Sequence, residues 1–356
     1  MNIIPYKKKD GTTCYKFQIR LGHKVTTRSG FFTKHDAIVA YTKMVENKEE
    51  YLRGNLTFTN VFESFLEIYS TKVKEATLRN ALSIFYLHIL PVFGNKKIHE
   101  IKVIECQNFA MTMSKFVRGK MFFNYAKRVM DFAYKMDLVK SNPFEKVIHP
   151  NYKKKKKQLN YLEVEQANKL LDYFKDDLYW YTMFRLFIYS GLRRGELLAL
   201  EWSDINFNKK TIRVEKTLTI GLYNKVILNS TKTESSNRVI NIDGLTLHFL
   251  KKLKLKTKNK LVFPSAKGTY QRLSNPQDRL DKACKHLELD KIRVHDLRHT
   301  HASLLFASGS NAKEVQERLG HSDIQTTMNI YTHVTKDKKE KSLNDFINYM
   351  EKVKSS

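Results

Sequence analysis

The sequence predicts a mainly helical α+β protein built of several domains. Its 356 residues exceed what one compact core usually organises, so two or three domains are expected. Apolar residues recur at helical spacing over most of the chain, whereas short alternating stretches, which are typical of strands, occur near the amino terminus and in the second half. The hydrophobic content of 42% is ample for folded domains and argues against a largely disordered chain.

Residues 1–54 predict a small sheet followed by one helix. In "TCYKFQIRLG" apolar and polar side chains alternate, so a strand places them on opposite faces. The apolar face consists of Tyr15, Phe17 and Ile19, and the polar face consists of Lys16, Gln18 and Arg20. A basic sheet face can lie in a groove of DNA, and an ordinary half-buried sheet is the alternative. The helical stretch that follows is expected to end at Gly54.

Residues 55–150 predict an all-helical domain of four or five helices. The first helix is expected to begin with Thr59 as its N-cap, and its apolar positions follow the 3.6-residue period: Val61, Phe62, Phe65, Leu66 and Tyr69. Later stops lie in "LPVFG" and "SNPF". Four basic residues are candidate phosphate contacts, although each alone is also consistent with a solvated surface charge: Arg118, Lys120, Lys127 and Arg128.

Residues 151–160 predict a basic linker. It contains an unbroken run of five lysines: Lys153, Lys154, Lys155, Lys156 and Lys157. Like charges repel one another and keep such a segment extended, and a run of this kind can follow a phosphate backbone. Because the run separates two helical regions, a domain boundary is expected near residue 155.

Residues 161–336 predict a mixed domain, and residues 337–356 predict a tail. Helices are expected around "EVEQANKLLDYF" and "LYWYTMFRLFIYSG", strands in "KTIRVEKTLTI", "NKVILNS" and "NRVINID", and further helices up to residue 333. The tail has an apolar stripe at helical spacing: Leu343, Phe346, Ile347, Met350 and Val353. Packing on its own domain or on a neighbouring protomer would each cover that stripe.

The charge balance favours a polyanionic partner. The chain has 64 Lys+Arg against 36 Asp+Glu, a formal net charge of +28, which suits DNA or RNA, with an anionic membrane surface as the other candidate. No window approaches 18 apolar residues and "MNIIPYKKKDG" lacks a signal-peptide apolar region, so a cytoplasmic protein is expected. Cys14, Cys106 and Cys284 lie far apart and are expected to be reduced, mostly buried thiols.

Two stretches place basic residues where chemistry is plausible. "SGLRRGELLALEWSDI" has Arg193 and Arg194 in a turn before a helix whose first turn contains Glu196. Arginine at a helix start is electrostatically unfavourable, so a bound anion would explain the pair, and an exposed surface pair is the alternative. "STKTESSNRVINI" has Lys232 near the tip of a polar turn, which alone is a weak signal.

Two further stretches contain histidines and a tyrosine. In "RVHDLRHTHASLLFASG" a helix would place His295, Arg298 and His299 on one side. The two histidines have the spacing of zinc ligands, but the usual glutamate is absent and Arg298 would set a positive charge beside the metal. "LGHSDIQTTMNIYTHV" has His321 in a glycine turn and Tyr331 ten residues later.

Together these residues form a metal-free set for phosphoryl transfer. Arginines match non-bridging phosphate oxygens bidentately and stabilise the charge of the transition state. A tyrosine can act as covalent nucleophile, and a lysine or histidine can protonate the leaving oxygen. On a strongly basic chain, this set predicts the cutting and rejoining of nucleic acid.

The order of Arg193, Lys232, "HDLRH", "LGH" and the tyrosine of "NIYTH" closely resembles the tyrosine recombinases, specifically the integrases of phages and mobile elements. The resemblance covers about residues 158–335. It implies that Arg193 and Arg298 form a phosphate clamp, His295 is the general acid/base and His321 a further hydrogen-bond donor. It implies Lys232 as the general acid to the 5′ oxygen and Tyr331 as the nucleophile of a 3′-phosphotyrosyl link. Glu196 and His299 match supporting positions.

The resemblance also implies an architecture and partners. A catalytic domain with a small three-stranded sheet would follow a core-binding domain at 55–150 and an arm-binding domain at 1–54, and the tail would dock on a neighbouring protomer. The family uses no metal and no nucleotide cofactor, and exchanges strands as a homotetramer on double-stranded attachment sites through a Holliday junction. An excision or directionality factor and a host DNA-bending protein are further expected partners.

Two rival functions need separation from an integrase. A type IB topoisomerase shares the tyrosine chemistry but relaxes DNA without a partner site, and the arm-like first segment and the tail argue against it. A non-catalytic DNA-binding regulator would retain the fold without the chemistry. The complete set of Arg193, Lys232, His295, Arg298, His321 and Tyr331 argues against the regulator.

Overall fold

The computed structural model of the chain describes six stretches: residues 2–21, 24–46, 55–154, 159–230, 237–321 and 323–334. By internal contacts the chain divides into two compact units, residues 1–156 and 157–356. Helices account for 55% of the residues that the structure describes, which confirms the mainly helical α+β class. Several predictions concern residues outside the described stretches: Gly54, Lys155, Lys156, Lys157, Lys232 and the tail at 337–356.

The first unit begins with an antiparallel sheet of three strands in the order β1-β2-β3. Its elements are β1 (Ile3–Lys7), β2 (Thr13–Leu21), β3 (Lys24–Phe31) and the following helix α1 (Lys34–Glu46). Phe17 and Ile19 of β2 pack with Ala37 of α1 in a small core. Arg20 is exposed, whereas Lys16 is half-buried with its Nζ 5.7 Å from the centroid of the Tyr6 ring. The predicted alternation and the sheet-plus-helix order are confirmed.

Five further α-helices lie in the described part of the first unit: α2 (Phe58–Lys72), α3 (Glu75–Ile84), α4 (Leu90–Phe93), α5 (Val103–Met113) and α6 (Gly119–Lys135). The predicted N-cap of α2, Thr59, is wrong. Thr57 caps the helix, because its side chain accepts from the Asn60 amide at 3.3 Å while Asn60 Oδ1 accepts from the Thr57 amide at 3.1 Å. Thr59 instead donates its hydroxyl to the Gly94 carbonyl at 2.9 Å.

A π-helical turn, Phe85–Ile89, joins α3 to α4 and lets the helix continue past Pro91. The combined stretch Glu75–Phe93 is the one helix of the described chain with the length and mean hydropathy, 1.2, of a membrane span. Phe85, Ile89 and Phe93 are fully buried in the core of the helical region. A core helix of a folded domain meets the same two criteria, so the stretch by itself is a weak indication of a membrane.

The second unit contains eight α-helices in its described part: α7 (Val164–Tyr173), α8 (Leu178–Ser190), α9 (Arg194–Leu198), α10 (Gly244–Leu255), α11 (Asn275–His286), α12 (Asp296–Ala307), α13 (Ala312–Leu319) and α14 (Ile324–Val334). Helix α8 is buried on nearly all sides and packs against both α10 and α12. Its central position explains why its sequence is apolar all round.

The described strands of the second unit form two separate sheets. They are β4 (Ile205–Asn206), β5 (Thr211–Val214), β6 (Lys216–Ile220), β7 (Val226–Ser230) and β8 (Arg238–Asn241). The predicted three-stranded sheet is present in the order β4-β5-β8, while β6 and β7 pair as a hairpin. The stretch "KTIRVEKTLTI" therefore breaks at Glu215 into strands of different sheets. Helix α9 packs on β6 at Gly195, where a Cβ would lie 2.4 Å from the Leu218 carbonyl oxygen.

All three cysteines are free and buried, as predicted. Burial raises the pKa of the Cys106 thiol to about 12. This thiol therefore stays protonated near neutral pH and has a packing role.

Gly191 sets the junction between α8 and α9, and we expect Gly191→Ala to destabilise the protein. The residue has φ +64°, and a Cβ there would lie 2.6 Å from both His301 Cδ2 and Leu319 Cδ2. Left-handed strain plus this overlap should lower the free energy of unfolding by about 1–3 kcal/mol. Chemical denaturation measures the change. Gly244→Ala is the matched control, since nothing lies within 4 Å of its added Cβ; equal stability of the two variants would contradict the expectation.

Candidate active site

The turn after α8 presents Arg193 beside its own helix cap. Arg193 is the N-cap residue of α9 and Glu196 is in its first turn. The Arg193 amide donates to Glu196 Oε2 at 2.9 Å, and its Nη1 donates to Oε1 at 2.7 Å. The carboxylate therefore offsets the unfavourable placement of a cation at a helix start. Arg193 and Arg194 are both half-buried, so the two arginines do not form the fully exposed surface pair that was the alternative.

Glu196 has a second arginine partner that the sequence analysis missed. Arg238, at the start of β8, donates from Nη2 to Glu196 Oε2 at 2.9 Å. Desolvation alone would raise the pKa of the Glu196 carboxyl, but hydrogen bonds and charges from Arg238 and Arg193 outweigh it and lower the pKa. Glu196 is therefore ionised at neutral pH. The signal in the sequence was only the single basic residue of "NRVINI".

Arg298 is a buried guanidinium held by neutral acceptors. Arg298 lies on α12, and 1% of the residue is exposed. Nη1 donates to the Gly191 carbonyl at 2.8 Å and Nη2 to the Leu319 carbonyl at 2.6 Å. Burial, followed by the charge of Arg193, lowers the pKa of Arg298. A desolvated cation of this kind is stabilised by any anion that reaches it.

His321 follows the glycine that ends α13 and is fixed through both ring nitrogens. Arg298 Nε donates to His321 Nε2 at 3.3 Å, so Nδ1 has the proton and donates to Thr327 Oγ1 at 2.9 Å. Burial and then the charges of Arg298 and Arg193 lower the pKa of His321 to about 3, which keeps the ring neutral. Arg193 Nη2 also donates to the Gly320 carbonyl at 3.0 Å, so both arginines reach the "LGH" turn.

His295 and His299 lie beside this cluster. Their rings meet edge to face at a centroid distance of 5.1 Å. Desolvation of the ring by the packed side chains around it, followed by the charges of His299 and Arg298, lowers the pKa of His295 to about 4, although the residue as a whole is exposed. His299 Nδ1 is buried without a hydrogen-bond partner in the described structure. Within the described ranges, no group of three or more His, Cys, Asp or Glu side chains is arranged for a metal ion.

Tyr331 lies on α14, and 39% of the residue is exposed. Its ring packs edge to face on Phe306 of α12, with 5.1 Å between the centroids. Thr327 and Ile330 form the buried side of α14. The tyrosine is thus on a helix that packs against α12, which also contains Arg298.

Comparison with known proteins places this arrangement in a family. Residues 159–338 match the model described as the phage integrase family, and residues 57–114 match its N-terminal SAM-like domain. The chain belongs to the phage integrase family of tyrosine recombinases.

Curated relatives cover different shares of the recombinase. The chain is 32% identical to the integrase of Staphylococcus phage L54a over 215 aligned residues. The alignment covers 53% of this chain and 60% of that protein. The recombinase therefore spans about three fifths of that relative's length. It is 27% identical over 338 residues to the ICEBs1 integrase of Bacillus subtilis, with 90% of this chain and 91% of that one covered.

Solved structures share the fold of the recombinase. The Tn1549 transposon integrase in complex with a circular intermediate DNA superposes with a TM-score of 0.69 at 18% identity, covering 82% of this chain and 99% of that one. A lambda integrase tetramer bound to a Holliday junction gives a TM-score of 0.60 at 18% identity, with 90% of this chain and 95% of that one covered.

The predicted DNA contacts of the recombinase's first unit fall into distinct environments. Arg118, Lys120 and Arg128 line one open cavity of about 490 Å³ on α6. Lys127 instead pairs with Glu145 at 2.6 Å and with Asp131, which raises the pKa of Lys127 and balances its positive charge with nearby carboxylates. Lys153 and Lys154 are exposed. Lys127 is consequently a weaker candidate for a phosphate contact than its three neighbours.

A second buried network, centred on His301, supports the "LGH" turn. The sequence analysis gave no role to His301. His301 Nδ1 donates to the Ile188 carbonyl at 2.8 Å, while Arg318 Nε donates to His301 Nε2 at 2.9 Å. Arg318 Nη2 also reaches the carbonyls of Tyr189 and Asn241. These contacts tie α8, α12 and α13 together behind Arg298.

The protein should lose stability on mild acidification because histidines with lowered pKa values stay neutral in the fold, and His301 is the most buried of them. Burial, followed by the charge of Arg318, lowers the pKa of this histidine to about 3 from the ordinary 6.5. Below about pH 6.5 the unfolded chain binds a proton at this histidine that the folded protein does not bind. The stabilising contribution of the neutral ring is therefore complete above about pH 6.5, and the free energy of unfolding falls by about 1.4 kcal/mol per pH unit below it. His301→Gln should be less stable at pH 7 and show a shallower decline to pH 5. The free energy of unfolding is measured by denaturant titration at each pH. An equally steep decline with falling pH in both proteins would contradict the role of His301.

Proposed function

We propose that this recombinase is a site-specific integrase that integrates or excises a mobile element through a 3′-phosphotyrosyl intermediate and a Holliday junction. The observation that supports it most is Arg298: a buried guanidinium on neutral acceptors, beside Arg193 and His321, is suited to one phosphate. Two arginines at that position would stabilise the negative charge that gathers on the non-bridging oxygens during displacement.

The chemical step assigns a role to each residue. The Tyr331 oxygen attacks the phosphorus as the bond to the 5′ oxygen breaks, and Lys232 protonates that leaving oxygen. The lowered pKa of His295 keeps its ring neutral near pH 7, the form that accepts the tyrosine proton. In the free protein His321 Nε2 accepts from Arg298 and the ring proton is on Nδ1. Donation from Nε2 to a phosphate therefore requires that contact to be released and the proton to move from Nδ1 to Nε2. Rejoining runs the same transfers in reverse, without a metal or nucleotide cofactor.

The proposal extends to domains and partners. Residues 1–54 would bind arm-type sites, 55–150 would bind core sites, 161–336 would form the catalytic domain, and the tail would dock on a neighbouring protomer. A homotetramer on double-stranded attachment sites would exchange the strands in the cytoplasm, with a directionality factor and a host DNA-bending protein as accessories. Its support is the net charge of +28 and the fold shared with the lambda integrase tetramer on a Holliday junction.

DNA affinity should fall steeply with salt. Each phosphate neutralised by a lysine or arginine releases condensed counterions, so an interface with several such contacts loses about 10³-fold or more in affinity between 50 and 200 mM salt. Fluorescence anisotropy with a labelled duplex measures the slope. A flat dependence would contradict the role assigned to the basic surfaces.

A nicked duplex tests the proposal as a whole. The duplex has the sequence at the ends of the element and a nick beside the cleavage point, so that the cut fragment diffuses away and the covalent intermediate accumulates. We expect a protein–DNA band on a denaturing gel in the presence of EDTA. Tight binding without any adduct would instead favour a non-catalytic regulator, and relaxation of supercoiled plasmid without an attachment site would favour a topoisomerase.

A further inference from the structure

Arg238 connects three parts of the second unit. Its side chain is 7% exposed at the start of β8. Nη2 and Nη1 donate to Glu196 Oε2 and Oε1 of α9 at 2.9 and 3.4 Å, and Nε donates to the Arg318 carbonyl of α13 at 3.0 Å. The residue thus supports both the helix that follows Arg193 and the turn that leads to His321.

The Glu196 carboxylate is shared between two arginines. Arg193 occupies it with Nη1 and with its backbone amide, and Arg238 occupies it with both terminal nitrogens. Because both carboxylate oxygens are engaged by both residues, the carboxylate is fixed in orientation. Arg238 therefore helps to fix the carboxylate that in turn fixes Arg193.

The charges of Arg193, Glu196 and Arg238 determine how strongly Arg193 attracts a phosphate. Glu196 is 2% exposed, so its negative charge is poorly screened by water. With Arg238 present, the three residues have a net charge of +1, and the attraction of Glu196 is divided between two cations. Without Arg238, the full charge of Glu196 would be directed at Arg193 and would cancel it.

We propose that Arg238 is a positioning residue for strand cleavage, which neutralises Glu196 so that Arg193 keeps its positive charge for the scissile phosphate. This inference rests on the proposed integrase function. It concerns a residue that acts through Glu196 and Arg193 and does not itself touch the DNA.

The test compares single-turnover cleavage of two nicked duplexes. One has the ordinary scissile phosphodiester, and the other has a methylphosphonate there, which replaces an anionic non-bridging oxygen by a methyl group. Arg238→Gln should cleave the phosphodiester about tenfold to a hundredfold more slowly at unchanged DNA affinity, and lose much less on the uncharged substrate. Arg238→Lys, which keeps the charge, should recover most of the rate. Arg213→Gln, on the adjacent strand and 54% exposed, is the control and should match the unchanged protein.

A double variant distinguishes charge balance from simple structural support. In Arg238→Gln combined with Glu196→Gln, the carboxylate and its partner are both uncharged, so Arg193 is again free and no buried charge is left unpaired. We expect this protein to cleave faster than Arg238→Gln alone. Equal losses on both substrates, or a double variant slower than the single one, would overturn the inference. Absence of cleavage by the unchanged protein would overturn the proposed function, and the inference with it.

Discussion

Tyr331→Phe binds junction DNA with unchanged affinity and forms no covalent adduct: this is the largest effect we expect of any single substitution. The change removes only the nucleophilic oxygen, and the phenyl ring can keep the edge-to-face contact with Phe306. Binding by anisotropy and adduct formation on a denaturing gel, measured on the same preparation, separate the two effects.

Tyr223→Phe is the matched control for the loss of a tyrosine hydroxyl. Tyr223 is 99% exposed in the turn between β6 and β7, so its hydroxyl supports no packing. We expect this variant to form the adduct at the rate of the unchanged protein. An adduct that persists in Tyr331→Phe would move the nucleophile to another residue.

Arg193→Ala should slow single-turnover cleavage by about 10²–10³-fold, which corresponds to about 3–4 kcal/mol of transition-state stabilisation. The fold should be retained, because Glu196 keeps its ion pair with Arg238. DNA affinity should fall only modestly, since many other basic residues bind the backbone.

Arg194→Ala provides the comparison within the same turn. Arg194 begins α9 but makes no described contact with Glu196, and it does not match the clamp position. We expect it to retain most of the cleavage rate. If Arg193→Ala lost binding and cleavage to the same extent, Arg193 would be a binding residue only.

Most of the fold could be predicted from periodicity, and each departure has an identifiable structural cause. The N-cap of α2 moved from Thr59 to Thr57 because Asn60 completes a reciprocal capping box that the apolar period does not reveal. Strand β4 has two residues, too few for any alternation to be visible. The break at Glu215 arises because β5 pairs with β8 while β6 pairs with β7. This pairing depends on strands outside the stretch itself.

The sequence pointed to the side chains of the candidate site, including Glu196 as a supporting residue, but it did not indicate most of the contacts that hold them. Arg193, Arg298 and His321 do lie together, whereas their catalytic roles stay predictions. The carbonyls of Gly191 and Leu319 that hold Arg298 have no signature in a sequence, since every residue has one. Arg238 and Glu196 are 42 positions apart, and nothing local indicates that they meet.

The identity of the DNA-linked residue tests the central claim most directly. The trapped adduct from the nicked duplex is digested with a protease and a nuclease, and the peptide that retains a nucleotide is identified by mass spectrometry. We predict a nucleotide joined through its 3′ phosphate to Tyr331. Attachment to any other residue, or through a 5′ phosphate, would contradict the mechanism.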